Sequence, residues 1–353
     1  MVALERPRQP RRGDARLSGR RRTGAFTAGV LISAALPCGA SRAAAGVTLV
    51  VPFENKTGSP AASWIGEALA DGLVSAISAS GADVIGREDR REVERELGIG
   101  PLAVTTIATR LKEGEELEAD RVILGQFTGG ADSLRVSARL YTLSPVSRGS
   151  EITLPAMPAG DIAAIQALLA QRVLAPGEQP PAGFKPPAAE TRAEAYEARM
   201  RGLTEEDPAR RAGLLERAVE IAPDYLRARI ELADAYGDAG SNEKALLSLS
   251  RAPLTGPAPL VAEAEALQGA LALESGLLTP AIDAFRRSLR QQEDADIRLL
   301  LARTLIRRGD LAIASAEIEL AARSDPENPE LPEVRRLLEA AHARPAGGTS
   351  GGE

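Results

Sequence analysis

The sequence predicts two structural parts in one chain: a mixed α/β domain followed by an all-α solenoid of helical repeats. The chain has 353 residues, more than one hydrophobic core ordinarily organises. Up to about residue 175, runs of β-branched residues alternate with segments that repeat apolar side chains every four residues. Beyond residue 190, glycines and alanines recur with a period near 34 residues, which is typical of helical repeat arrays.

Residues 1–45 are predicted to be a cleavable secretory signal peptide. They hold nine arginines against two carboxylates, and Arg20–Arg22 precede an uncharged stretch, residues 23–41, whose apolar part is too short to span a bilayer. An Ala-x-Ala cleavage site ends at Ala45, so we expect a mature periplasmic or exported protein. Three points stay open: general or twin-arginine export, lipidation of Cys38, and association with the outer membrane.

Residues 46–175 are predicted to form the α/β domain. The continuous apolar run 47–53 is typical of a strand covered on both faces, and apolar residues at every fourth position predict a helix over 61–80. The segments 121–127 and 133–143 flank a glycine turn and predict a hairpin. The remaining predicted elements are strands at 82–85 and 151–154 and helices at 89–97, 104–111 and 162–173.

Several segments of this domain carry a resemblance to known families. The strand end Val50–Asn55, followed by Trp64–Leu73, resembles the opening of bacterial TolB N-terminal-like domains. Val84–Asp89 is similar to the related curli-secretion (CsgG-like) and FlgO-like envelope domains, and the hairpin segments Asp120–Gly125 and Leu134–Leu140 fit the same pattern. The resemblance spans nearly the whole domain and implies a mixed α/β fold in an envelope protein.

Two segments lack a pattern of regular structure. Residues 176–190 hold five prolines and two glycines and are predicted to be a semi-rigid, extended linker. Residues 343–353 are predicted to be a disordered tail. A linker of this kind also predicts that the two parts of the chain unfold independently.

The segment 191–342 carries the strongest pattern, a repeat of tetratricopeptide type. Gly240, Gly276 and Gly309 each end a first helix, and an alanine follows five residues later in every case. Small residues let the two helices of a repeat touch, and large ones fill the space between repeats. The pattern predicts four repeats and a capping helix, at 191–223, 224–259, 260–293, 294–327 and 331–341.

Composition argues against most catalytic and cofactor chemistries. The single cysteine, Cys38, lies in the predicted signal peptide, and the single histidine, His342, lies near the C-terminus. A mature chain of this kind cannot build a Cys/His zinc site, a thiol nucleophile or a Ser-His-Asp triad. We therefore expect no enzymatic activity, no metal and no cofactor. The dense carboxylate run 113–120 is predicted to face water rather than to hold a cation.

Charge and hydropathy narrow the class of partner. The net charge is −6 although residues 1–45 are basic, so the rest of the chain is acidic and a nucleic-acid partner is not expected. No membrane span is expected in the mature chain. The oligomeric state stays open.

The concave face lined by the first helices of the repeats is predicted to bind a protein or peptide partner. The residues predicted to line it are Arg227, Ile230, Asp234, Leu273, Leu299, Arg303, Ile306 and Arg307. The fourth repeat is expected to hold the peptide most tightly. Its Leu299 and Ile306 lie beside Arg303 and Arg307, whose positive charges would select an acidic peptide.

These observations predict a non-enzymatic adaptor or scaffold of the cell envelope that mediates protein–protein interactions through its repeats. The alternative is a subunit or accessory factor of an envelope secretion or assembly pore, which the CsgG-like segment suggests.

Overall fold

The computed structural model describes residues 46–175 and 191–343. The predicted signal peptide 1–45, the predicted linker 176–190 and residues 344–353 of the predicted tail lie outside the described residues. Within the described part the predicted fold class is confirmed: a mixed α/β domain precedes an all-α array of tetratricopeptide type.

Residues 46–175 contain one mixed sheet of five strands. The strands are β1 (Thr48–Val50), β2 (Glu54–Asn55), β3 (Arg121–Gly130), β4 (Ser133–Leu143) and β5 (Val146–Thr153). Their order is β1-β3-β4-β5, and β2 also pairs with β3. β1 and β2 run parallel to β3, whereas β3, β4 and β5 are antiparallel neighbours, so β3 and β4 form the hairpin that the sequence predicts.

Two predicted strands are shorter in the structure. Within the run 47–53 only β1 forms, and β2 begins after the run; Pro52, which lies between the two strands, has no N–H to donate to a ladder. The predicted strand 82–85 is reduced to a single parallel bridge between Val84 and β1.

Four helices accompany the sheet within residues 46–175. They are α1 (Trp64–Ala79), α2 (Arg87–Glu96), α3 (Ile107–Glu116) and α4 (Ile162–Leu174). α1 and α4 contact each other and cover one face, where Leu69, Ile123 and Ile165 belong to one buried cluster. α3 covers part of the opposite face, around Val122 and Leu143. One face of the sheet is therefore covered over β1, β3 and β4, the other is partly open, and most of the edge strand β5 is exposed.

Charged side chains are buried where α2 packs against α3. Glu113 is fully buried, so the prediction that the whole run 113–120 faces water is wrong at this residue. Nη1 of Arg110 donates to Glu113 Oε2 (2.7 Å) and to Glu94 Oε1 (3.1 Å), which supplies the buried carboxylates with a cation. Burial is the largest influence on Glu113 and raises the pKa of its carboxyl. The other acidic residues of the run are exposed: Glu115, Glu116, Glu118 and Asp120.

A close approach between β3 and the segment after β1 fixes the identity of Gly125. A Cβ atom at Gly125 would lie 2.1 Å from Cε1 of the buried Phe53 ring.

We expect Gly125→Ala to lower the free energy of unfolding by about 1–3 kcal/mol, because the ring must shift within a packed core. Gly130→Ala on the same strand is the control, since nothing lies within 4 Å of its Cβ position. Chemical denaturation of both variants checks the difference, and an equal effect would contradict the packing explanation.

Within residues 191–343, nine helices form four consecutive pairs and a final single helix. They are α5 (Ala193–Thr204), α6 (Pro208–Ile221), α7 (Leu226–Asp238), α8 (Asn242–Ser250), α9 (Ala258–Glu274), α10 (Leu278–Gln291), α11 (Ala295–Arg308), α12 (Leu311–Ser324) and α13 (Leu331–His342). The alanines of the predicted repeat, Ala245, Ala281 and Ala314, are completely buried at the contacts between paired helices. Gly309 ends α11 in the left-handed conformation (φ +95°), which glycine adopts at little cost.

The two parts of the chain share one hydrophobic core. Met200 and Leu203 of α5 belong to the same buried cluster as the residues of α1, α4 and the sheet. The α/β domain and the first repeat are therefore packed together. No helix among the described residues is long and apolar enough to cross a bilayer.

Candidate functional site

The first helices of the repeats lie side by side along one face of the array. α9 contacts both α7 and α11, and α11 contacts α13. The second helices lie behind them: α6 packs on α5 and α7, and α10 packs on α9 and α11. The face formed by α5, α7, α9 and α11 is called the groove below, and it is the candidate binding surface of the array.

The first quarter of the groove is covered by α1 of the α/β domain. Tyr196 and Met200 on α5 face α1. They lie 34 residues before Ile230 and Asp234, which are predicted groove positions of the next repeat. The Tyr196 hydroxyl donates to Asp71 Oδ2 of α1 (3.0 Å), and Met200 is fully buried. Helix α1 thus occupies this stretch as an intramolecular ligand, and the open part of the groove is formed by α7, α9 and α11.

A buried arginine joins the two parts of the chain. Arg199 on α5 has only 2% of its side chain exposed and donates from Nε and Nη2 to the Glu231 carboxylate of α7 (2.8 and 2.6 Å). Its Nη1 and Nη2 also reach the Asp71 carboxylate of α1 at 3.4 Å. Burial disfavours the charged guanidinium, but Glu231 and Asp71 outweigh it, and the pKa of Arg199 lies well above its ordinary value. The side chain therefore stays charged and ties α1 to two first helices.

Arg199 is not among the predicted site residues, although the repeat pattern contains a signal for it. Arg199 occupies the small-residue position of its repeat, where the later repeats carry Ala233, Gly269 and Ala302. A large charged residue at a position that elsewhere allows two helices to touch indicates a special local partner. Here that partner is a pair of carboxylates.

A second ion cluster lies beside this junction. The Glu67 carboxylate of α1 accepts from Arg90 Nη2 (2.7 Å) and Arg87 Nε (2.9 Å). Burial alone would raise the pKa of Glu67, but the two guanidiniums outweigh burial and lower it. Arg87 also donates from Nη2 to the carbonyl oxygen of Leu203 on α5 (2.8 Å), so this cluster too connects the α/β domain to the first repeat.

Three of the eight predicted partner contacts are not available on the groove surface. Ile230 is buried in the cluster shared by α7, α8 and α9. Leu299 is fully buried in the cluster that α11 forms with α12 and α13. Arg303 Nη2 pairs with Glu330, directly before α13 (3.4 Å), and with Glu333 on α13 (3.2 Å). The capping helix therefore covers the side of α11 that carries the residues predicted to bind a peptide.

The other five predicted contacts remain accessible, and three of them meet. Arg227 is partly exposed and Asp234 is exposed on α7. Leu273 and Ile306 are half-buried and pack on the same core cluster, and the exposed Arg307 donates from Nη1 to the Leu273 carbonyl oxygen (3.5 Å).

These three residues define a small surface at the C-terminal ends of α9 and α11. Together with the exposed Glu274, which accepts from Asn242 Nδ2 (3.1 Å), Leu273, Ile306 and Arg307 form what is called the end patch below. The end patch combines two apolar side chains with one cation and one anion. Its chemistry suits an apolar side chain flanked by a hydrogen-bond acceptor.

The described residues contain no group of three or more His, Cys, Asp or Glu side chains arranged to hold a metal ion.

Comparison with known proteins finds no matching family model and no similar curated protein. Among solved structures, the chain is similar to YrrB, described as a TPR protein with an unusual peptide-binding site, at 14% identity over 42% of this chain and 76% of that one, with a TM-score of 0.37. MamA protein matches at 17% identity over 42% and 90%, with a TM-score of 0.33. The LpoB C-terminal domain from Salmonella enterica matches at 15% identity over 33% and 84%, with a TM-score of 0.27. At these values the similarities carry no information on function.

Proposed function

We propose that this chain is a non-enzymatic adaptor that holds a protein partner in the open part of the groove, on α7, α9 and α11. The observation that carries the proposal is the continuous face of first helices, of which one end is covered by α1 and the remainder presents accessible apolar and charged side chains. A helical or extended peptide would place an apolar side chain against Leu273 and Ile306 and an acceptor oxygen at Arg307.

We further propose that the adaptor works in the cell envelope after export. The basic and then apolar N-terminal sequence and the TolB-like and CsgG-like segments support this part of the proposal. Cell fractionation with mass spectrometry of the mature N-terminus tests it. A mature chain that begins at Gly46 in the periplasmic fraction is the expected result, and an acylated N-terminal Cys38 would instead indicate a lipoprotein.

Reversing the charge of Arg307 is expected to weaken partner capture at least about tenfold, which corresponds to about 1.4 kcal/mol. Arg307 is exposed and, within the part of the chain that the structure describes, makes one hydrogen bond, at 3.5 Å to the Leu273 carbonyl oxygen, so Arg307→Glu should leave the fold intact. The measurement is quantitative mass spectrometry after crosslinking and affinity purification of the tagged full chain from its native cells.

The matched control is Arg323→Glu, which makes the same charge change at an exposed arginine of α12, on the outer layer. Proteins that are retained by the wild type and by the Arg323 variant, but lost by the Arg307 variant, are groove partners. If all three chains capture the same proteins equally, the partner surface lies outside the end patch. Arg303 is unsuited to this test because its ion pairs with Glu330 and Glu333 hold the capping helix.

A further inference from the structure

A cleft of about 520 Å³ lies on the partly open face of the sheet, and none of the residues that line it belongs to α7, α9 or α11. Its floor is formed by β3 and β4 and includes Leu124 and Ser137. Its wall is formed by residues 101–106 of the loop 98–106, which connects α2 to α3. Thr204 at the end of α5 closes one side, so the cleft lies where the α/β domain meets the first repeat. Ligand sites occur preferentially at such junctions, and this volume lies within their usual range of about 300–1,000 Å³.

The rim of the cleft is apolar and exposed. Leu102, Val104 and Ile107 lie within six positions of one another and expose 56%, 76% and 53% of their surfaces. They line the cleft and are called the apolar lip below. Single exposed apolar residues are common, but three beside one cleft, two on the loop and one at the first residue of α3, indicate a surface that another molecule covers.

The charged groups that line the cleft are already neutralised by the chain itself. Arg110 is held between the buried carboxylates of Glu94 and Glu113 (3.1 and 2.7 Å). Arg139 pairs with Glu151 across β4 and β5 (2.6 Å). The Glu67 carboxylate pairs with two guanidiniums, as described above, and Glu54 pairs with Lys56 (2.5 Å). Each charged side chain that lines the cleft is thus already paired within the chain, and an ionic ligand would lose its hydration without gaining a free counter-charge.

Polar groups on the floor remain open to a ligand. The Gln126 side chain is exposed on β3, and Ser137 lies opposite it on β4 with its side chain partly exposed. Both line the cleft and can donate to and accept from a peptide backbone. An apolar rim above a neutral, hydrogen-bonding floor matches the chemistry of an uncharged peptide with apolar side chains.

We propose that this cleft binds an extended, uncharged segment of a partner protein whose apolar side chains insert beneath the apolar lip. The site is separate from the groove and does not depend on the function proposed for it. The loop 98–106 contacts the first repeat, because Gly100 lies against Glu206 in the turn between α5 and α6. A segment bound in the cleft would thus lie beside both parts of the chain.

A selection of random twelve-residue peptides displayed on phage tests the proposal on the full chain. We expect enrichment of sequences that are rich in apolar residues and carry no charge. The fluorescence anisotropy of one enriched synthetic peptide then gives its Kd, and Val104→Asp in the apolar lip should raise this Kd at least about tenfold. The matched control is Leu247→Asp, at an apolar side chain of α8 that is exposed to 46%, and it should leave the Kd unchanged. Both side chains are exposed, so both variants should fold.

The proposal is overturned by a selection without enrichment, by enrichment of charged sequences, or by an equal Kd for the wild type and the Val104 variant. Two further measurements identify a different occupant. Binding to phosphatidylcholine vesicles that Val104→Asp abolishes would replace the peptide by a membrane surface. A concentration-dependent dimer in sedimentation that the same variant dissociates would replace it by a second copy of the chain. Arg307→Glu should leave peptide binding unchanged, which separates this site from the groove.

Discussion

Replacing Arg199 by methionine is expected to lower the free energy of unfolding by about 3 kcal/mol. Removing one partner of a buried ion pair costs about 3–5 kcal/mol because the remaining charge is buried without compensation. The lower end of that range applies here, since Glu231 and Asp71 keep 19% and 27% of their side chains exposed and retain some water. Denaturation of the purified full chain with urea measures the change.

Two variants distinguish the charge effect from a loss of packing. Arg201→Met alters a surface pair with Glu197 on the same helix and should change stability by less than about 1 kcal/mol. Adding Asp71→Asn and Glu231→Gln to Arg199→Met removes the uncompensated charges and should restore most of the lost stability. If the triple variant is no more stable than the single variant, the cost arises from packing and the proposed role of the charges is wrong.

We expect the same cluster to couple the unfolding of the two parts. The sequence predicts independent unfolding across a proline-rich linker, but the structure shows a shared core through Met200 and Leu203 and an ion cluster across the junction. We therefore expect coincident transitions in the wild type. Trp64, the single tryptophan, reports on the α/β domain by fluorescence, and circular dichroism reports mainly on the repeats. Arg199→Met should separate the two transitions by weakening the junction.

Features that depend on residues near in sequence were predictable from the sequence. The β3–β4 hairpin follows from alternation around a glycine turn, and the four helix pairs follow from small residues such as Ala245 and Ala281 at fixed spacing. In each case the residues that specify the element also make its closest contacts. Local pattern and tertiary packing then agree, which is why these elements are recovered.

The packing of one helix over the face of another could not be predicted from local sequence patterns. The helical spacing of Val104, Ile107 and Leu111 predicts one buried helix face, but α3 begins at Ile107 and Val104 is largely exposed. Thr106 explains the boundary, since its hydroxyl accepts from the Thr109 N–H and caps the helix. Similarly, nothing in the spacing of α5 reveals that α1 covers its groove side.

The candidate site shows the same division. Of the positions obtained by counting along the repeats, Leu273, Ile306 and Arg307 lie together in the structure. Counting repeat positions assumes, however, that the groove side of α11, the first helix of the fourth repeat, is open to solvent. At α11 this assumption fails, because α13 packs beside it and covers Leu299.

Leu299→Ala is therefore expected to destabilise the array by about 2–5 kcal/mol, as large-to-small changes at fully buried leucines do. The lost side chain would leave a cavity between α11, α12 and the capping helix, where Ile318 and Val334 are also buried. A groove anchor would behave differently: its truncation would weaken partner capture and leave the melting temperature nearly unchanged. The control is Leu337→Ala on α13, where the same change removes a side chain that is exposed to 43% and should cost little. Thermal denaturation of both variants, together with partner capture, decides between the two roles. If the Leu299 variant melts like the wild type but no longer captures the partner, Leu299 belongs to the binding surface. In that case α13 must move aside when the partner binds.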